Sequence, residues 1–348
     1  ADSETPAPIH LVLIEEPEAH LHSQVQQVFV KKAYEILTKD LQDENFFTTQ
    51  MVISTHSSYI IHEIGFENLH YFKRCKEEEN FHTEAIDLSN VFEKDNEKNK
   101  KFVSRYLRTI HCDLFFANAI ILVEGSAERM LLPYFIRHHF QQLESSYISL
   151  LEVNGAHAHR FKPLIEALGV PCLVLTDLDS TYQQKKVIPL LNQGQESSCD
   201  NLTKWLNLAN RTLDIVLDIP DNEKVVKNTF ISYQKKIKIQ WNDQEKIVIP
   251  YTFEDSIVFS NIQIFKDTEI MKGTTGMLKK MHKATLESNL NECCQKVFEA
   301  LDGEKAKMAL DILYEFEPQG NELFSPPNYI NDGLEWLSQK LSLISKGD

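Results

Sequence analysis

Two short apolar runs constrain this chain more than anything else in it: Asn118-Ala-Ile-Ile-Leu-Val123 and Cys172-Leu-Val-Leu-Thr176. Each is aliphatic without alternation, the pattern of a strand in a parallel sheet covered on both faces. Both end in acids, Glu124 and Glu128 after the first and Asp177 and Asp179 after the second. Ligands of such sheets gather at the carboxyl ends of the strands, so two acids from each of two neighbouring strands are expected to converge on one magnesium-type site. Gly125 supplies the turn, Ser126 is expected to cap the helix that follows, and Glu128 then points from its first turn toward Glu124.

The rest of this region supports a parallel sheet. Its order reads strand 118–123, helix 126–140, strand 147–153, helix 157–168 and strand 172–176, a βαβαβ unit in an α/β fold. Upstream, Ile9-His-Leu-Val-Leu-Ile14 is a buried-strand pattern running into Glu15-Glu16, and Val25, Val28, Phe29, Ala33, Ile36 and Leu37 recur at helical spacing. A second strand, Met51 to Ser54, leads to His56; Leu69 to Arg74 and Phe81 to Leu88 form an expected hairpin. A charged stretch, Glu93 to Lys101, reads as a linker before a helix carrying Phe102, Tyr106, Ile110 and Leu114. Residues 181–245 have no legible order. Ile247 to Phe253 reads as a further strand ending in Glu254 and Asp255, and the remainder as mostly helical, with Ile330, Leu334, Leu337, Leu341 and Ile344 on one face.

With 348 residues, 42% of them hydrophobic, the chain can bury two or three cores. No apolar run reaches a membrane span, and the polar, proline-bearing Ala1 to Pro8 does not read as a signal peptide, so the expected location is the cytoplasm, with no membrane contact. The six cysteines show no CxxC or zinc spacing and read as reduced thiols. A net charge of −15 excludes a surface basic throughout. Contact with nucleic acid must therefore come from local patches, metal ions or another subunit. Lysines cluster at 185–186, at 235, 236 and 238, and at 279, 280 and 283; solvated faces are the plain alternative. His157 and His159, near Arg160, suit the polar start of a helix, with a metal or phosphate contact as the sharper reading.

The Glu-Gly-x-x-Glu and Asp-x-Asp strand ends resemble the Toprim domain of topoisomerases, primases and nucleases. The longer run from Leu114 to Pro133 is similar to the entry into the Toprim domain of OLD-family nucleases ("overcoming lysogenization defect"), which join an ABC-type ATPase to a Toprim nuclease. Glu15-Glu16 resembles a Walker B motif and His56 the ABC switch histidine. By that resemblance Glu15 helps to hold magnesium beside ATP, Glu16 polarises the attacking water, and His56 senses the γ-phosphate. Glu18-Ala-His-Leu-His22 resembles the loop that meets a partner subunit across the nucleotide. The phosphate-cradling GxxxxGK[ST] loop and an LSGGQ-like signature are absent from the 348 residues. The expectation is therefore the C-terminal part of a longer protein, without ATPase activity of its own.

The resemblance implies residues 1–92 as the rear of an ATPase domain, 93–116 as a helical linker, 117–260 as the Toprim domain and 261–348 as a helical C-terminal element. It implies a DNA endonuclease or nickase acting in phage defence and gated by ATP. A homo-oligomer formed through the ATPase domain and a helicase-like partner are implied with it. Phosphodiester hydrolysis needs an activated water and relief of charge at the phosphate, which two Mg2+ or Mn2+ ions about 3.5–4 Å apart supply; such hard ions take carboxylate oxygens. Glu124 and Asp177 are expected to hold both ions, with Glu128, Asp179 and Glu254 completing the shells. Glu254 is preferred to Asp255 because Thr-Phe-Glu resembles the family pattern. Lys305, in a Lys-x-x-x-Ala pattern, resembles the family's lysine near the reacting phosphate, and Lys307 is its neighbouring alternative. The rival readings are a Toprim enzyme of topoisomerase or primase type, and a DNA-binding or dimerisation module without cleavage.

Overall fold

The computed structural model describes residues 9–39, 48–65, 68–77, 80–92, 96–108, 112–301, 303–316 and 324–345. Ala1 to Pro8, Glu93 to Asp95 and Ile110 lie outside the described residues, as does the side chain of Ile344. The chain divides into two compact units, Ala1–Phe116 and Ala117–Asp348. No helix among the described residues is long and apolar enough to cross a membrane.

In the first unit the strands Ile9–Glu15 and Thr48–Ser54 pair in parallel, Glu15 opposite Ser54, with the helix Ser23–Lys39 between them in sequence. The expected apolar stripe of that helix is divided. Phe29, Ala33 and Leu37 are half-buried, whereas Val25, Val28 and Ile36 are exposed and Val30 is the buried valine. Ser57 caps the helix Ser58–Glu63 by accepting from Ile60 N, which buries Ile60 and Ile61. His70–Glu77 and Asn80–Asp87 form the antiparallel hairpin. The helix expected to run from Phe102 to Leu114 ends at Leu107, and Cys112–Phe116 is a separate 3-10 turn.

The second unit holds a five-stranded sheet in the order Val225–Val226, Thr229–Ser232, Cys172–Leu175, Ala119–Val123, Ile148–Glu152. All neighbours are parallel except the short Val225–Val226 edge. The fourth parallel strand, Thr229–Ser232, comes from the stretch that was illegible in the sequence. Helices cover both faces: Ser126–His139 and Lys162–Leu168 from the crossovers, and Asn328–Ser345 across the Cys172 strand. One continuous apolar core joins Ile121, Val123, Leu173 and Leu175 of the sheet to Phe253, Met281, Val297, Ile312 and Leu334 of the C-terminal helices.

Two local expectations are corrected. Ser126 does not cap its helix; it is the first helical residue, and Gly125 occupies the cap position without a side chain to offer. A side chain there would crowd the site, since a Cβ at Gly125 would lie 3.1 Å from Glu128 Oε2. The strand expected from Ile247 to Phe253 stops at Val248. Pro250 cannot donate to a ladder, and Thr252 with Asp255 forms a capping box that opens the helix Phe253–Ser260.

Candidate active site

Glu124 follows its strand directly, and the sheet continues just past it: Val153 N donates to Val123 O (2.8 Å) and Gly155 N to Glu124 O (3.1 Å). On the adjacent strand Thr176 N donates to Ser232 O (3.1 Å), which fixes where Asp177 emerges. Glu128 comes from the first turn of the helix after Gly125. Glu254 comes from the first turn of a second helix, and Lys305 from the first residue of a third, Lys305–Phe316. Fold topology thus brings four distant segments to one end of the sheet.

At the centre, Lys305 Nζ lies 3.3 Å from Asp177 Oδ2 and 3.7 Å from Glu254 Oε2. Its neighbour Lys307 pairs instead with Glu304 (3.4 Å), one turn away on the helix surface. Glu254 accepts from Thr252 Oγ1 (2.8 Å). Asp255 is committed elsewhere: its carboxylate accepts from Tyr251 N (2.6 Å) and Thr252 N (2.7 Å). Asp179 sits in left-handed backbone, φ 47°, and its carbonyl accepts from Ser198 N at 3.0 Å.

Burial and mutual repulsion govern the charges. Burial first, and then Asp177, push Glu124 up to about 8. Glu128 is raised well above the glutamate range by burial, Asp177 and Glu254. Asp179 is raised by burial and by Asp177, with Lys305 and Lys186 opposing. Glu254 is raised by burial, which outweighs the pull of Lys305. Asp255 rises to about 7 through burial, against the two backbone donors it caps. Burial works against a charged Lys305, yet Asp177, Glu254 and Glu128 hold its pKa above the ordinary lysine value.

Several partners of these acids were not foreseen. Gln234, fully buried just past the fourth strand, donates from Nε2 to Asp177 Oδ1 (2.7 Å) and accepts Leu178 N at Oε1 (2.7 Å). Asn201, also fully buried, donates to Glu124 Oε1 and to Thr176 Oγ1, both at 3.1 Å, and Thr176 Oγ1 itself donates to Glu124. Asn201 Oδ1 in turn accepts His159 N (3.1 Å) and lies 3.2 Å from His159 Nδ1. His159 is therefore engaged in backing Asn201. Both amides belong to the stretch or its immediate context that lacks strong periodicity, so only their position at element ends could have signalled them.

The donor set is all carboxylate, which suits a hard divalent cation in kind. The raised pKa values describe a cluster whose ionised form needs a cation. Among the described residues no three His, Cys, Asp or Glu side chains are grouped as a ready-made ligand set; the Lys305 ammonium is the cation between Asp177 and Glu254.

In the first unit Glu16, in left-handed backbone at φ 40°, brings Oε1 to 3.5 Å from His56 Nε2. Glu15 closes the strand, exposed. Glu18 takes Thr55 Oγ1 (2.8 Å) and His56 N (2.6 Å), tying the Pro17–His20 turn to the residues after the second strand.

Residues 115–179 match the family model described as "Overcoming lysogenization defect protein-like, TOPRIM domain", and residues 1–61 match one described as an AAA ATPase domain. The chain is 28% identical over 359 residues to endonuclease GajA of Bacillus cereus strain HuB5-5, covering 96% of this chain and 49% of that protein. It is 28% identical over 181 residues to an OLD nuclease of Thermus scotoductus, covering 49% of this chain and 31% of that protein. The chain thus spans about half the length of the first of these relatives. Among solved structures, the C-terminal region of the Burkholderia pseudomallei OLD protein aligns at a TM-score of 0.41 and 21% identity, covering 65% of this chain and 99% of that one.

Proposed function

We propose that this chain, a homologue of the OLD-family nucleases, is a metal-dependent DNA endonuclease or nickase. The observation that carries the reading is the convergence of Glu124, Glu128, Asp179 and Glu254 on Asp177 at the carboxyl end of the parallel sheet, with Lys305 between Asp177 and Glu254. Glu124 and Asp177 would hold two Mg2+ or Mn2+ ions, with the other three acids completing the shells. Bound there, such ions supply an acidified water and relief of charge at the phosphate.

The remaining work falls to side chains of this chain. Gln234 occupies Asp177 Oδ1 while Lys305 faces Oδ2, and Asn201 occupies Glu124 Oε1. Second-partner hydrogen bonds of this kind keep ligating groups oriented. Lys305 offers a fixed positive charge to the phosphate oxygens as negative charge builds in the transition state. Asp255 serves the helix cap, which holds Glu254 in place beside it.

In the full-length protein, Glu15, Glu16 and His56 belong to an ATP site whose occupancy gates cleavage. That protein assembles through its ATPase domain and acts in the cytoplasm in phage defence, with a helicase-like partner. These points rest on the family resemblance. The chain itself, lacking GxxxxGK[ST], is not expected to hydrolyse ATP.

The test is cleavage of supercoiled plasmid with Mg2+ or Mn2+. Nicking that disappears with EDTA and in Asp177→Ala supports the reading. Lys305→Ala should lower the rate by about 10²-fold or more, whereas Lys307→Ala should leave it intact. Well-folded protein that binds metal and DNA but never cuts would instead favour a passive DNA-binding module.

A further inference from the structure

Asp179 is followed without a break by a small antiparallel hairpin. Thr181 pairs with Lys186 and Tyr182 with Lys185, leaving Gln183 and Gln184 as a two-residue tip. Both tip residues have positive φ, 49° and 64°, as a type I′ turn requires. Such tips favour Asn-Gly because residues with a larger side chain are strained there. Two glutamines in that position are a local cost without a packing reason, since both are exposed. Strain of this kind tends to sit where the side chains are used.

The base of the hairpin is as fixed as its tip is free. Ser180 is fully buried and its Oγ donates to Val187 O. Ser197 Oγ donates to Leu178 O (2.6 Å), and Ser198 donates from N and from Oγ to Asp179 O, both at 3.0 Å. Beyond that anchor Tyr182 is 47% exposed, and Lys185 and Lys186 are exposed. Among the described residues neither lysine is within ion-pair distance of an acid, unlike Lys204, Lys227, Lys235 and Lys236 of the same unit, although Lys186 is near enough to Asp179 to favour its charged form. Lys186 also lines a pocket of about 320 Å³ with Asp179, Tyr251, Phe298 and Lys305. The hairpin therefore leads from exposed cations on its outer strand to the acidic cluster, on a chain whose net charge of −15 otherwise repels polyanions.

We propose that the hairpin Ser180–Lys186 is the element that grips DNA beside the reaction centre, with Lys185 and Lys186 on backbone phosphates and the Gln183-Gln184 tip in a groove. A two-stranded ribbon fits the major groove, and glutamine amides match the paired donor and acceptor of adenine there. The inference rests on the nuclease reading and names how that site holds its substrate.

The experiment measures duplex binding by fluorescence anisotropy over a salt series, using the Asp177→Asn chain in EDTA so that nothing is cut. Lys185→Ala/Lys186→Ala is compared with Lys279→Ala/Lys280→Ala, which removes equal charge from the exposed face of the helix Gly276–Thr285. The expected result is a salt slope shallower by about two for the hairpin pair and unchanged for the control pair. Gln183→Asn/Gln184→Gly, which suits the turn better, should raise thermal stability while weakening binding several-fold. Equal losses in the two lysine pairs, or none in the hairpin pair, overturn the assignment and leave the nuclease reading standing if plasmid is still nicked. Absence of any binding and of any nicking by the unmutated chain overturns both.

Discussion

A carboxylate that is buried beside other carboxylates keeps its proton longer than it does in water, and Glu124 is pushed up to about 8 in this way. Between the ordinary glutamate value and about 8, folded Glu124 retains a proton that the unfolded chain has released. Stability must then fall as pH rises through that window, by about 1.4 kcal/mol per unit for a single group. In EDTA, thermal unfolding is expected to move to lower temperature from pH 5 to pH 8. Mg2+ should flatten that dependence because a bound cation favours the ionised acids. Calorimetry of the chain and of Glu124→Gln checks this, and a melting temperature indifferent to pH in both would remove the effect. Gln234 gives a second outcome at this scale. Gln234→Glu keeps the acceptor for Leu178 N but replaces the donor to Asp177 with a carboxylate. Mn2+ affinity and cleavage are expected to drop about 10- to 100-fold, with less effect on melting temperature than on either.

Among the elements, the helix Asn328–Ser345 approaches the sheet tightly at Gly333, where a Cβ would stand 2.8 Å from Leu173 Cδ1. Leu173 is fully buried in the strand Cys172–Leu175, which ends two residues before Asp177. Gly333→Ala must push that strand or the helix aside, with an expected loss of about 1–3 kcal/mol in urea unfolding. Cleavage should fall with it, because Asp177 moves with its strand. An alanine variant as stable as the parent would show that this contact yields freely. The acidic end of the sheet is built the same way throughout: Glu124 and Asp177 follow strands, whereas Glu128, Glu254 and Lys305 ride on the first turns of helices.

For the whole molecule, the apolar core that joins the sheet to the C-terminal helices lies within residues 117–348. A fragment of those residues is expected to unfold in one cooperative transition, stabilised by Mg2+, as monitored by circular dichroism. A fragment ending at 260 would leave Phe253, Phe259 and Phe265 without the helices that bury them or without their own place in the chain, and should not fold. Separate transitions in the longer fragment would divide the helical part from the sheet.

Much was legible from sequence because it depends on neighbours along the chain. The runs before Glu124 and Asp177 announce buried parallel strands by their lack of alternation. Glu128 follows Glu124 at a spacing that a turn and one helical step convert into proximity. The Gly125 cap and the Asp255 capping box were within reach but misread, one as a serine cap and the other as a strand end, since cap geometry depends on φ and ψ rather than on residue type alone. The meeting of Glu254 and Lys305 with Asp177 was expected only by resemblance to a family, because no local rule joins positions 128 residues apart. The roles of Gln234 and Asn201 and the place of the hairpin after Asp179 were decided by tertiary structure alone. A short strand of four residues carries little periodicity, and a buried amide acquires its role only when folding removes water and leaves a carboxylate oxygen as its partner.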